Sequence, residues 1–169
     1  MRSSISICLA MLAASLALCG CAGYHVGIVN ARGLHTIRVP VFKNSVFVPR
    51  IEEQVSNAII RQLQIDGSLR VVSSADAEGT LEGEIIAWDR QPLRFRPKNL
   101  LVTREYRLVI AARITLRDRD GTVLVSRKRI EGETTYFVGD DEVAAERQAF
   151  PLAADDLAKN IVEQIVEGW

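Results

Sequence analysis

The sequence is poor in the residues that most often carry chemistry. Its 169 residues include two histidines and three cysteines, and 21 Lys plus Arg stand against 21 Asp plus Glu. His25 and His35 both precede the first periodic segment, and no His–Cys–carboxylate grouping has metal-site spacing. No Gly-x-Ser-x-Gly elbow and no P-loop lysine motif occurs. Asp155 and Asp156 are adjacent on a predicted helix, so they point in different directions and do not form a catalytic pair. These absences argue against an enzyme, and nothing in the sequence asks for a cofactor. Zero formal charge gives no bulk pull onto nucleic acid or an anionic membrane, so polyanion affinity must come from a local cluster. What is present, 48% hydrophobic and 25% charged residues, is the mix of a single globular domain. It excludes a disordered tail, a collagen-like repeat and a polytopic membrane protein.

Met1 and Arg2 precede an apolar run from Ile5 to Leu18. Fourteen helical residues reach about 21 Å, short of a bilayer core of roughly 30 Å. A positive start, a short apolar stretch and small residues after it read as a secretory signal over residues 1–20. Leu18-Cys19-Gly20-Cys21 resembles a bacterial lipobox, with Leu at −3, a small residue at −1 and the acylated Cys at +1. Cys19 fits less well, because Leu18 would then fill the −1 slot. The plain alternative is an ordinary cleaved signal with a chance cysteine. The cysteine arithmetic favours lipidation of Cys21, since Cys8 and Cys19 leave with the signal and no cysteine follows Cys21. Several acyl chains on one residue give stable anchoring. Ala22, not Asp, follows Cys21, so the expected location is the outer membrane, facing the periplasm. Removing the leader removes only Arg2 among charged residues, and the mature chain carries one more acid than base.

Residues 21–35 read as a lipid-anchored tether, and 36–169 as one domain. Thr36 to Phe42 alternates, with Pro40 predicting an edge strand or a local break. Pro49 suits the first turn of a helix whose stripe is Ile51, Val55, Ile59 and Leu63, with a stop at Asp66-Gly67. Leu69 to Ser73 reads as a short strand. Thr80 to Trp88 reads as another, with Leu81, Gly83, Ile85 and Ala87 on one side, and Gln91 to Asn99 as a loop or irregular extension. The cleanest pattern is Tyr106, Leu108, Ile110, Ala112, Ile114 and Leu116 at strict period two, opposite Glu105, Arg107, Arg113, Thr115 and Arg117. Asp118 to Gly121 forms a hairpin turn, and Thr122 to Val138 returns as its partner. Asp140 or Asp141 caps a last helix, which Pro151 must kink or restart. Two single-stripe helices and a sheet with one apolar face predict an α+β, two-layer sandwich. The helices pack on one face of a mixed, mostly antiparallel four- to five-stranded sheet, and the other face stays uncovered by the chain itself.

Two basic clusters stand out, Arg90, Arg94, Arg96 and Lys98 in a Pro-broken segment and Arg127-Lys128-Arg129 in a strand. Arg94, Arg96 and Lys98 fall on one side of an extended chain, which suits a phosphorylated ligand. A solvated sheet edge is the plainer reading and comes first, since charges there discourage aggregation.

Over its mature length the chain resembles the LPS-assembly lipoprotein LptE family. The resemblance is carried, in order, by Cys21-Ala22-Gly23-Tyr24-His25, with Ala22 inserted, and by the stretch from Ile37 to Ser45. It continues through Pro49 to Leu63 with Asp66-Gly67 and Val71-Val72, Ala75-Asp76-Ala77 with Leu81-Glu82-Gly83, Arg104 to Leu108, and Ala144 to Gln148. It implies a plug inside the large outer-membrane β-barrel LptD, helping that barrel assemble and lipopolysaccharide reach the outer leaflet. It also implies lipopolysaccharide contact at Arg96, Lys98 and Arg147. A lipoprotein regulator of a periplasmic enzyme such as a peptidoglycan synthase is the rival reading, sharing size, anchor and lack of an active site.

Overall fold

The computed structural model describes residues 33–94 and 104–167, with side chains from Gly33 to Leu93 and from Glu105 to Glu167. Strand β1 spans Thr36–Arg38 and β2 spans Lys43–Asn44. Pro40, without an N–H, falls in the gap between them, so the strand expected to reach Phe42 stops at Arg38, and Lys43-Asn44, which read as loop, pairs with the sheet instead. The gap turns Phe42 inward, and its N–H donates to Oγ of Ser56, buried on the first helix, at 2.9 Å. Just before β1, Leu34 already packs in the core, and the Glu78 carboxylate accepts the N–H groups of His35 and Thr36.

Helix α1 spans Ile51–Asp66 and buries the expected stripe of Ile51, Val55, Ile59 and Leu63. Pro49 lies outside it. The N-cap is Arg50, in the left-handed region at φ 61°, and this turn separates Pro49 from the first helical residue. At the other end Gly67 takes φ 75° and its N–H bonds to the Leu63 carbonyl at 3.0 Å, which closes the helix. Strand β3 is only Arg70–Val71, shorter than the apolar run around it.

Three long strands then form an antiparallel meander, β4 at Gly79–Arg94, β5 at Arg104–Asp118 and β6 at Val123–Val138. At the β5–β6 turn, Asp118 accepts the N–H groups of Asp120 and Thr122, and Gly121 supplies φ 86°. The sheet order is β3-β1-β4-β5-β6, with β1 and β2 following each other along the same edge of β4, both parallel to it. Among the described residues there are thus six strands, above the four to five expected. The additional strand is β2, which pairs with β4 beyond the expected strand end at Phe42, whereas β3 is the short strand expected over Leu69 to Ser73.

Helix α2 spans Glu142–Glu167. Asp141 is its cap, accepting the Ala144 N–H at 2.9 Å. Pro151 does not restart the helix, which continues as one element. The proline is exposed and removes only the bond to the Arg147 carbonyl, while buried side chains from Ala149 to Val166 hold both halves on the core.

The β5 stripe is realised as expected, with Leu108, Ile110, Ala112, Ile114 and Leu116 all fully buried. On β4 the expectation holds through Ile85 and then fails at Ala87. A register shift between Ile85 and Ala87 moves the inward face to the even residues. Trp88 therefore packs edge-on against Phe150 of α2 at 5.1 Å, and Ala87 pairs with Ala111 on the opposite face.

Helix α2 also closes the outer edge of β6. Asp156 accepts the Glu133 N–H at 2.9 Å, and the Asn160 amide donates to the Glu131 carbonyl at 2.8 Å. These contacts occupy backbone groups that an exposed edge would otherwise offer to another strand. Its neighbour Asp155 instead pairs with Arg61 of α1 at 2.9 Å, so the adjacent aspartates do point apart. The close approach depends on Gly132, where a methyl group would overlap the backbone of Leu157. Gly132→Ala should lower stability by about 1–3 kcal/mol in denaturant unfolding. Ser56→Ala, which strands the Phe42 N–H in the core, should cost about the same. Wild-type stability in both variants would show that the helix–sheet packing is looser than the geometry implies.

Candidate functional site, the open sheet face

The face of the sheet turned away from the helices is built from the odd residues of β5 and the side chains that flank them. No described helix or strand covers it, and Glu82, Arg117, Arg129, Glu131, Glu133, Thr135 and Phe137 are exposed there. The charges are arranged in cross-strand and same-strand pairs. Arg117 meets Glu82 at 3.7 Å, Arg113 meets Glu84 at 3.4 Å, Arg107 meets Glu133 at 3.6 Å and Arg129 meets Glu131 at 2.6 Å. Such solvated pairs add little stability each. Their effect is to make the face polar and close to neutral, a surface suited to a wet polar partner.

One end of this face departs from that balance. The gap between β1 and β2 and a bulge in β6 enclose an open groove of about 490 Å³, lined by Val41, Lys43, Glu82, Glu84, Arg113, Thr115, Arg117, Val123 and Arg127, among others. Glu84 is its hub. The Ser45 hydroxyl donates to it at 2.6 Å and holds its carboxyl below the usual glutamate range, with Arg113, Arg127 and Lys43 adding through-space attraction. Arg127 is left-handed, φ 45°, at the point where Ser126 and Arg127 together oppose Thr115. That place in a bulge is normally taken by glycine.

The residues singled out from the sequence are distributed differently. Cys21, Arg96 and Lys98 lie outside the described residues. Arg147 is exposed on the second turn of α2, next to Glu146. Glu146 and Glu142 both pair with Arg90, whose guanidinium also lies 5.4 Å from the centre of the Tyr106 ring, which stacks on Tyr136. Arg90 thus fastens α2 to the far end of the sheet and is separated in role from the rest of its basic segment. In the second cluster, Arg129 is committed to Glu131 and Arg127 turns into the groove. The convergence of Lys43 and Arg127 was not visible in the sequence. It depends on β2 pairing with β4 and on the bulge in β6, and neither leaves a period or a motif. The alternation of β5 did mark Arg113 and Arg117 as outward.

Because its folded value is lowered, the Glu84 carboxylate stabilises the fold above the ordinary glutamate range, near 4.5, and this contribution is lost as pH falls through the depressed value. Glu84→Gln should melt below wild type at neutral pH, and the gap should close as the solution is acidified. A gap that stays constant with pH would show that the charge of Glu84 plays no part.

The fold recurs in other proteins. It is similar to a minor lipoprotein from Acinetobacter baumannii (TM-score 0.55, 16% identity, covering 80% of this chain and 94% of that one). It is also similar to a protein from Xanthomonas campestris (TM-score 0.58, 11% identity, 79% and 84%) and to a hypothetical protein from Chlamydia trachomatis (TM-score 0.54, 11% identity, 80% and 99%). At these identities the likeness is one of fold. Among curated proteins none matches the chain at a significant level. The model of the LptE family, described as lipopolysaccharide-assembly, matches residues 34–167, which is every described element from the buried Leu34 to the end of α2. The chain therefore belongs to the LptE family of lipopolysaccharide-assembly proteins.

Proposed function

We propose that this protein is an outer-membrane lipoprotein, acylated at Cys21, that plugs the LptD β-barrel and supports both its assembly and lipopolysaccharide transport to the outer leaflet. The observation that carries the reading is the open, charge-paired sheet face on a chain of the LptE family. A barrel lumen is polar, and a plug needs a polar surface to meet it. Among the described residues no helix is long and apolar enough to cross a membrane. Attachment is assigned to the acyl chains of Cys21 on the strength of the lipobox Leu18-Cys19-Gly20-Cys21. The family to which the chain belongs is non-enzymatic, and the protein acts by binding and positioning. Lipopolysaccharide contact is assigned to Arg96, Lys98 and Arg147, bases that suit phosphate.

Pull-down of the full-length tagged protein from detergent-solubilised outer membrane should recover the LptD barrel. Recovery of a peptidoglycan synthase with no barrel would replace this reading with that of an enzyme regulator. Depletion should leave the barrel misassembled and lipopolysaccharide accumulating beneath the surface, and Cys21→Ser should lose both acylation and outer-membrane fractionation. Normal surface lipopolysaccharide after clean deletion would remove the proposed role. Replacing Arg96, Lys98 and Arg147 by Glu should weaken lipopolysaccharide binding roughly tenfold or more without lowering the melting temperature. Unchanged binding would return these residues to the solvated surface.

A further inference from the structure

We infer that the groove between β2 and the β6 bulge is a docking site for an acidic segment of a partner polypeptide, here the lumenal wall of the barrel proposed above. The inference rests on that reading and adds to it a place and a chemistry. Elsewhere on the described open face, each arginine is matched by a glutamate. In the groove four cations, Lys43, Arg113, Arg117 and Arg127, face two carboxylates, Glu82 and Glu84. Arg113 and Arg117 are taken by those two. Lys43 and Arg127 form no ion pair among the described residues and feel Glu84 only through space. Two positive charges are therefore without an ion pair at one spot of the face.

The backbone of Arg127 points the same way. A non-glycine residue in the left-handed region is strained, and such strain persists where the side chain has a task. Glycine would relieve it but would withdraw the guanidinium from the groove. The rims add a second requirement. Val41 and Val123 border the groove and are 63% and 43% exposed, an apolar frame around a cationic floor. A segment with two carboxylates towards the floor and aliphatic neighbours over the rims satisfies both. A phosphate dianion suits the groove less, because it concentrates both charges at one point near Glu82 and Glu84, whereas two separate carboxylates can each lie over Lys43 or Arg127.

The test uses the full-length lipoprotein and its barrel in detergent-solubilised outer membrane. Lys43→Glu with Arg127→Glu should reduce barrel retention roughly tenfold, through complementary charges placed in opposition. Retention of wild type should fall with added salt, and that of Lys43→Gln with Arg127→Gln should be lower and less salt-sensitive. Binding to lipopolysaccharide micelles should not change in either double variant. Arg127→Gly should melt no lower than wild type, since the strain is gone, and yet retain less barrel. Equal retention by wild type and both double variants overturns the inference and leaves the plug reading standing. Loss of lipopolysaccharide binding with full retention also overturns it, assigning the groove to a phosphorylated ligand. A wild-type protein that retains no barrel removes the plug reading and the docking site together.

Discussion

The structure depends on one strand having two unlike faces. Along β5 the even residues from Leu108 to Leu116 are completely buried, while Arg107, Arg113 and Arg117 alternate with them on the other side. Burying the aliphatic row is the main favourable term available to a domain of this size. The chain supplies two amphipathic helices for it, and both are used on that side. Among the described residues nothing comparable is left for the reverse face, which is made tolerable to water by pairing its charges across the strands. A lopsided sandwich is the result, compact on one side and unfinished on the other.

Helix α2 is where this arrangement is held most tightly. Its alanines allow close packing, Gly132 gives the room for Leu157, and Asp156 and Asn160 occupy the outer edge of β6. At its start the Arg90 guanidinium, between two glutamates and a tyrosine ring, fixes the helix to the far end of β4. One helix thus seals a sheet edge, covers a core and reaches the far end of β4. The proline in its middle is tolerated because burial on both sides outweighs one missing bond.

Much of this was legible in the residues because it follows from local period and turn chemistry. The β5 alternation, the α1 stripe with its glycine stop, the Asp118–Gly121 turn and the helix cap at Asp141 each depend on side chains within a few positions of one another. The β-bulges were not legible. At Ile85 to Ala87 and at Ser126 to Arg127 the register is set by the partner strand, and a one-residue slip sends later side chains to the opposite face. That is why Ala87 and Trp88 exchange roles and why Arg127 meets Lys43. Arg50 hid the true start of α1 in the same way, since a left-handed arginine has no sequence signature. For the site, the outward arginines of β5 could be read directly, whereas the groove they floor required the fold.

The central claim is that the bare sheet face is completed by another protein. Accessibility of that face tests it directly. A Thr135→Cys variant carries a thiol on the exposed side of β6, and Cys21, under the acylation proposed for it, offers no competing one. A water-soluble maleimide should label it in the purified lipoprotein and fail to label it in intact outer membrane, where the partner is present. Equal labelling in both settings would contradict the account, because the face would then be open to water in place.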